Sequence, residues 1–495
     1  MLVLMAIGLY TSRVVLAQLG IEDYGIYNVV GGLVVLVSYI NQAMTNSTIR
    51  FLTFSIGNQE NKHDDNTEVR LVFSTSLLIH IFLGILFLLF VETVGLWFFY
   101  KLVIPPDRIE AAFWVFQFSI ISTFLSIVLI PYSSLLIAHE RMSVFAWFTI
   151  VDALSKLAVA WSMILLVSQR LLWYGALMLL IQIPYFLFYI FYCLRRYPES
   201  KPTRVKDLGL ARKLLSFSGW SMVGCTASVC NSQGMNILLN FFGGPALNAA
   251  RGIAVQVQGA INNFATNFQM AVNPQLIKYY AKEELDNMHR LICKSAKFSY
   301  YLLIILSLPL MLNIDIVLSW WLKEVPQYTP IFVILIMAVT MVDSLSAPLM
   351  KSADASGKIR NYHLIVGGCM LCALPLSWVA LHYGQPPYIV FVILFGISVI
   401  ALFLRLLIVR RLVNLSLRYY AANTLRPVAI TTFAAMPLSL AALMIPYPST
   451  FMHFLVVSFI ALTSSLTAIW FLGMETSERS FFLSKITKFL PLKNT

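Results

Sequence analysis

The chain has 495 residues, of which 59% are hydrophobic and only 12% are charged, and its mean hydropathy is +0.79. Soluble globular proteins carry about 25% charged residues, so this composition excludes that class. The formal net charge of +13 would by itself point to nucleic acid as a partner. The positions of the basic residues indicate a different reason for it.

Apolar runs recur along the whole chain, and many exceed the roughly 20 residues that span a hydrocarbon core. The sequence therefore predicts an all-α polytopic membrane protein. The start of the chain lacks the basic region of a secretory signal, so no cleavable signal is predicted. Only 19 residues precede the turn at GIEDYG, so the first helix is barely long enough to span, and an upstream start codon is left open as the explanation. The fourteen predicted transmembrane helices lie at 1–19, 26–56, 70–100, 110–137, 143–168, 171–194, 213–242, 246–276, 296–322, 327–350, 361–382, 387–409, 425–446 and 450–473.

The basic residues lie mostly on one side of these spans. Of the 35 Lys and Arg residues, 27 fall in the connections on one side, four in those on the other side and four inside spans. Lys and Arg hold short loops in the cytoplasm, which predicts that both termini are cytoplasmic. The outer connections have at most about ten residues each, so no extramembrane catalytic domain is expected.

The sequence contains an internal repeat. Residues of the first half match residues 223 positions later, and 217 positions later towards the end of the repeat. Six predicted spans separate the copies, and an even number keeps both in the same orientation. The sequence thus predicts two parallel six-helix lobes around a cleft, at 1–200 and 201–420, followed by two extra helices and a cytoplasmic tail at 421–495. The matched pairs include Gly20 with Gly243, Trp97 with Trp320, and Pro131 with Pro348.

Amides are concentrated in the eighth predicted span, where Asn or Gln fills nine of the 28 positions from Asn248 to Gln275. Polar residues recur there at helical steps along one face, and the second and seventh spans carry similar residues. We expect these side chains to line a water-filled cavity. The alternative is hydrogen bonding between helices, at about 0.6–2 kcal/mol per bond. The predicted lining residues are Gln42, Asn46, Asn236, Gln258, Asn262, Thr266, Gln269 and Asn273.

The connecting segments, among them 57–70, 194–213, 278–297 and 405–426, overlap the ends of several spans, and basic residues there are counted with the connections. Four basic residues lie inside predicted spans and outside every connecting segment: Arg13, Arg50, Lys156 and Arg251. A cation at the bilayer centre costs at least roughly 2.5–3.5 kcal/mol, which marks such residues as cavity-facing candidates. Arg251 has no acidic neighbour in sequence. Lys156 follows Asp152 by four residues and could pair with it on one helix face, while Arg13 and Arg50 could instead extend to an interface.

Cations together with amides suit an anionic substrate that is rich in hydroxyl groups. Arginine binds phosphate through two hydrogen bonds, and Asn and Gln both donate to and accept from sugar hydroxyls. The sequence therefore predicts that the four cations bind a pyrophosphate and that the amides contact the sugars of a lipid-linked saccharide. No metal site is predicted, because the lone C-x-x-C at Cys369 and Cys372 lies in an apolar run.

Three segments carry a family resemblance: GLYTSRVVLAQLGIEDYGIYNVVGG at 8–32, PYSSLLIAHERMSVFAW at 131–147, and GPALNAARGIAVQVQGAINNFATNFQMAVNPQLIKYY at 244–280. Together they resemble the bacterial polysaccharide-export flippases. Those flippases belong to the superfamily that includes the multidrug and toxin extrusion (MATE) exporters and the lipid II flippases. The resemblance extends over essentially the whole chain and implies a MATE-like fold.

The resemblance also implies an activity. Such flippases move undecaprenyl-pyrophosphate-linked oligosaccharides across the bacterial cytoplasmic (inner) membrane by alternating access, for O-antigen and other surface polysaccharides. Relatives carry cavity cations on the first, second and eighth spans, where Arg13, Arg50 and Arg251 lie here. We expect a monomer with no cofactor. The resemblance implies transport driven by a H⁺ or Na⁺ gradient or the membrane potential. Expected partners are the bilayer, the lipid-linked oligosaccharide and polysaccharide polymerase or assembly proteins, but not nucleic acid.

Two other functions remain open from the sequence. A MATE-type antiporter for cationic drugs would need carboxylates inside its lobes, and the acids within spans here are Glu92, Asp152, Asp315 and Asp343. A membrane polysaccharide polymerase or ligase would need a sizeable outer loop with catalytic groups, and the short outer connections argue against an enzyme.

Overall fold

The computed structural model describes residues 2–62, 67–100, 105–165, 169–203, 208–322, 325–445 and 448–480, and within these ranges the structure is helical with no strand. The helices are α1 Leu2–Lys62, α2 Thr67–Phe90, α3 Leu96–Phe99, α4 Ile109–Ala138, α5 Met142–Ser162, α6 Arg170–Arg196, α7 Leu208–Ala281, α8 Leu285–Leu312, α9 Ile314–Trp321, α10 Thr329–Ser356, α11 Arg360–Leu371, α12 Ala373–His382, α13 Ile389–Val413, α14 Leu417–Tyr420, α15 Arg426–Leu443 and α16 Thr450–Ala468.

Two helices are far too long to be single spans. α1 has 61 residues and α7 has 74, so a straight helix of either length would measure about 90 Å or more, against a hydrocarbon thickness of about 30 Å. Each is interrupted by a glycine, Gly20 at φ 79° and ψ 172° and Gly244 at φ 68° and ψ −168°. Only glycine adopts this backbone region readily. Each long helix therefore contains two of the predicted spans.

Among the residues that the structure describes, ten further helical segments are long and apolar enough to cross a membrane. With two spans in α1 and two in α7, the total is the predicted fourteen, and the all-α polytopic fold is confirmed. Large apolar side chains on these helices remain exposed, as at Phe82, Leu86 and Leu89 on one face of α2. A face of this kind is suited to lipid and costs nothing there, because lipid tails are as apolar as the side chains.

The chain forms two compact units, Met1–Thr226 with Asn273–Glu284 and Ala227–Val272 with Leu285–Thr495. The core of the first unit joins α1, α2, α4, α5 and α6. Leu52, Phe73 and Leu135 are fully buried in it, and the ring of Phe148 stacks on that of Tyr189 at 4.1 Å. The three-part division at 1–200, 201–420 and 421–495 stays a prediction.

The second unit includes the helices that follow the repeat. Phe332 of α10 packs against Phe391 of α13, with ring centroids 4.6 Å apart. Two hydrogen bonds join α8 to the C-terminal helices. The Tyr301 hydroxyl donates to the Gly473 carbonyl at 3.0 Å, and the Tyr300 hydroxyl lies 2.9 Å from that of Thr432. Hydrogen bonds of this kind satisfy polar groups that lipid cannot.

Irregular positions recur at equivalent places in the repeat. A π-helical turn at Val91–Gly95 follows α2, and a break at Asn313 separates α8 from α9, which agrees with the 223-residue offset. α4 and α10 both end before a residue at positive φ, Glu140 at 58° and Gly357 at 74°, 217 positions apart. The interruptions of the two long helices are offset by one residue in the repeat. The sequence pairs Gly20 with Gly243, whereas the structure interrupts α7 at Gly244.

We expect Gly244→Ala to destabilise the protein by about 1–3 kcal/mol, because alanine is strained in this backbone region although no atom lies within 4 Å of the added Cβ. Gly252→Ala is the matched control. Its added Cβ also meets no atom within 4 Å, and the helical backbone there favours alanine by about 0.5–1 kcal/mol. Reversible unfolding in mixed micelles measures both, and equal effects would contradict the assigned turn.

Lys297 and Glu478 form a buried ion pair at 2.8 Å, with side chains 2% and 3% exposed. We expect Lys297→Met to cost about 3–5 kcal/mol, because it leaves the Glu478 carboxylate buried and unpaired. The double variant Lys297→Met/Glu478→Gln should recover most of that loss. Lys156→Met breaks a pair whose side chains are 42% and 21% exposed, and it should cost less than Lys297→Met because the remaining Asp152 carboxylate is not fully buried. Additive losses in the double variant would refute the coupling.

Candidate functional site

Arg251 lies in a polar cluster at the turn of α7. The helix reverses at Gly244, so residues at similar distances before and after the turn face one another, and Asn236 lies beside Arg251. The guanidinium donates to the Asn236 side-chain oxygen, to the Ser232 carbonyl at 2.9 Å and to the Ser232 hydroxyl at 3.3 Å. The Asn236 amide in turn donates to Gln233 at 3.0 Å. Arg251 is 8% exposed.

The partners of Arg251 in the described part of the chain are all uncharged. A guanidinium has five N–H donors, and these three contacts leave it with a full positive charge. Asn248 precedes Arg251 by one helical turn, and its side-chain oxygen is buried with no hydrogen-bond partner among the described residues. The cluster therefore combines an uncompensated cation with an acceptor that a hydroxyl group could satisfy.

The polar residues that the sequence placed on one face of the second half of α7 do not share one environment. Gln258 donates to the Thr340 hydroxyl of α10 at 2.8 Å, and Gln269 donates to the Ser299 hydroxyl of α8 at 3.0 Å. These two side chains make the interhelical hydrogen bonds that were the alternative interpretation. Asn262 and Asn273 are half-buried.

A neighbouring face of the same helix is exposed and was missed by the sequence analysis. It contains Gln256, Asn263 and the predicted Thr266, with Gly252 and Gly259 in the same row. Their spacing is also helical, and all of them are small or polar, so the signal was present in the sequence. It was hidden because two adjacent faces of this helix are both rich in amides.

Arg50 of the first unit lies among aromatic rings. Its guanidinium is 4.6 Å from the Phe51 centroid, 5.1 Å from that of Phe217 and 5.5 Å from that of Phe54, and the residue is 9% exposed. Ring faces attract a cation by about 0.5–2 kcal/mol each. On the same helix Asn46 is half-buried, and Gln42 is exposed.

Lys156 pairs with Asp152 at 2.7 Å, and its side chain is 42% exposed. The pairing that its spacing allowed is thus formed, and the carboxylate compensates its charge. This contact weakens the case for Lys156 as a binder of pyrophosphate, because the ion pair would have to open first.

The side chain of Arg13 lies outside the described part of the structure, as does that of Asn28. In the sequence, Arg13 and Asn28 are fifteen residues apart around Gly20, as Asn236 and Arg251 are around Gly244. The two residue types stand in opposite order in the two halves. The role of Arg13 as a site residue stays a prediction.

No protein-family model matches this sequence, and a search of curated proteins finds no significant match. Solved structures do match. An outward-facing multidrug resistance MATE family transporter of the MOP superfamily aligns with a TM-score of 0.71 at 13% identity, covering 84% of this chain and 94% of that one. A MATE in complex with MaD3S aligns with a TM-score of 0.70 at 12% identity, with the same coverage.

A third similar structure is a MOP superfamily transporter from Pyrococcus furiosus, described as having a binding pocket of reverse polarity that suggests a different function. Its TM-score is 0.67 at 13% identity, and the alignment covers 83% of this chain and 94% of that one. Identities this low establish the shared architecture alone. The protein is thus a multi-pass membrane protein with the fold of the MATE transporters.

Proposed function

We propose that this protein is a transporter that flips an undecaprenyl-pyrophosphate-linked oligosaccharide across the bacterial cytoplasmic membrane, for the synthesis of a surface polysaccharide. One observation carries the proposal: Arg251 is buried within a predicted span, and its described partners are all neutral. A cation kept in this state attracts a substrate phosphate strongly, because no carboxylate competes for it.

The sugars of the substrate would meet the polar residues around this cation. The exposed face with Gln256, Asn263 and Thr266, and the unpartnered oxygen of Asn248, offer both donors and acceptors to hydroxyl groups. Gln258 and Gln269 contribute less directly, since they already bond to neighbouring helices. The polyprenyl tail would stay in the lipid.

Three of the predicted cations would contact the pyrophosphate. Arg50 is predicted near the cytoplasmic end of its span and would receive the pyrophosphate from the inner leaflet, and Arg251 would hold it nearer the outer end, with Arg13. Lys156 would take part only if its bond to Asp152 opened. The driving force would be an ion gradient or the membrane potential, and polysaccharide polymerase or assembly proteins would receive the product.

A MATE-type antiporter of cationic drugs is the second candidate, and the comparisons favour it, because the similar structures include multidrug transporters. The acids of the second unit offer one group for that function. Asp343 of α10 lies 3.9 Å from Arg405 of α13, and the Arg405 side chain is 9% exposed. A carboxylate in a span could bind a proton or a cation in exchange for a drug. The nearby arginine opposes that role by attracting the carboxylate itself.

Asn236→Asp tests the phosphate role without changing the shape of the cluster. It places a carboxylate on Arg251, and we expect it to reduce flipping of a lipid-linked oligosaccharide by roughly tenfold or more, because the substrate phosphate must then compete with an internal anion. Asn240→Asp, one turn further along and exposed, is the matched control and should keep activity. The measurement is complementation of a flippase-deleted strain at equal protein level, and full activity of Asn236→Asp would refute the proposal.

Drug resistance separates the two candidates. Expression in an efflux-deficient bacterium should leave the inhibitory concentrations of lipophilic cations within about twofold of the empty vector, because the uncompensated cation Arg251 repels them. A larger rise that is lost in Asp343→Asn would favour the antiporter and overturn the flippase. Asp315→Asn, an acid near the predicted outer end of its span, is the control for nonspecific loss.

A further inference from the structure

Two adjacent cavities lie in the second unit, outside the candidate site, at the predicted cytoplasmic end of α8. The larger has a volume of about 730 Å³ and is mostly apolar. Phe298 and Leu302 of α8 line one wall, and Leu466 and Trp470 line another. Its volume is in the range of small-molecule sites, which are about 300–1,000 Å³.

The smaller cavity has a volume of about 250 Å³ and is polar. Arg290, Lys294 and Lys297 bring three positive charges to it, and Glu475 and Glu478 bring two negative charges. Glu478 is already engaged, because it accepts from Lys297 at 2.8 Å and from the Glu475 amide at 3.0 Å. Once Lys297 and Glu478 neutralise each other, Arg290, Lys294 and Glu475 give the cavity a net positive charge.

Lys294 belongs to both cavities, as do Ser477 and Glu478. Its side chain is exposed and forms no ion pair within the described ranges of the chain. The apolar cavity and the cationic one therefore meet at an ammonium group that is available for an anion.

We propose that this pair of cavities binds an anionic glycerophospholipid of the inner leaflet. An acyl chain would fill the apolar cavity, which Phe268 and Val272 of α7 line together with α8 and α16. The phosphate would contact Lys294 and Arg290. Basic pockets between helices at the cytoplasmic face suit anionic head groups, because the cation, the apolar wall and the membrane surface coincide there. A free phosphate would use only the smaller cavity.

A bound lipid would strengthen the attachment of the last two spans. The cavities border the buried pair of Lys297 and Glu478, which joins α8 to the segment after α16. A chain held against both helices should raise the stability of this attachment, since a ligand that binds only the folded state stabilises it by mass action. This proposal does not rest on the flippase function, because binding and stability are measured without transport.

The test uses the purified full chain in a zwitterionic detergent. We expect phosphatidylglycerol to raise the thermal unfolding temperature and to appear as one tightly bound lipid in native mass spectrometry, while phosphatidylcholine and glycerol phosphate do neither. Lys294→Glu should weaken the binding of phosphatidylglycerol by roughly tenfold or more, since one attraction becomes a repulsion. Arg411→Glu, an exposed residue at the cytoplasmic end of α13, makes the same charge change outside both cavities and should leave binding intact.

Leu302→Trp provides a second variant, because it fills the apolar cavity without altering charge, and it should also abolish the stabilisation. Equal stabilisation by phosphatidylcholine or glycerol phosphate would overturn the proposal, as would unchanged binding in Lys294→Glu. Two results would assign the cavities to another occupant and overturn it as well. One is binding of undecaprenyl phosphate at a tenfold lower concentration than phosphatidylglycerol, and the other is lipid binding that occurs only after removal of residues 481–495.

Discussion

The hydrocarbon core of the bilayer offers no hydrogen bonds, and every feature of this protein follows from that constraint. The backbone must satisfy itself, so the described chain is helical almost throughout, and mostly short connections join its helices. The long helices α1 and α7 are interrupted at Gly20 and Gly244, where the backbone adopts angles that other residues avoid. The turn at Gly244 brings Arg251 into contact with Ser232 and Asn236, which lie before it in the chain.

Charged side chains are subject to the same constraint, and the chain meets it in two ways. Lys297 is neutralised by Glu478 and Lys156 by Asp152, so each of these cations has a carboxylate beside it. Arg251 instead has hydrogen bonds to uncharged groups in the described structure. A neutral surrounding satisfies the donors and leaves the charge in place, which is unfavourable for stability alone and useful for attracting an anion.

The duplication preserves the path of the chain more than its chemistry. Breaks recur at matching positions in the two units, and both long helices turn at a glycine. The cations are set differently, because Arg50 lies among aromatic rings in the first unit whereas Arg251 lies among amides and hydroxyls in the second. The two guanidinium groups therefore differ in what holds them in place: ring faces for Arg50, and hydrogen bonds for Arg251.

The sequence by itself determined the fourteen helical spans, because hydropathy acts locally. It counted Lys297 and Arg405 with the connections, whereas the structure buries both side chains within α8 and α13, since their burial depends on Glu478 and Asp343 far away in sequence. The sequence could not decide which face of α7 is exposed and which packs against other helices. Gln258 and Gln269 were predicted to face water, yet their partners Thr340 and Ser299 lie on helices remote in sequence. Two amide-rich faces lie next to each other on α7, and helical spacing alone fits both of them. Only the packing of α8 and α10 against this helix decided which amides bond to a neighbouring helix, because such a hydrogen bond depends on tertiary distance rather than on sequence spacing.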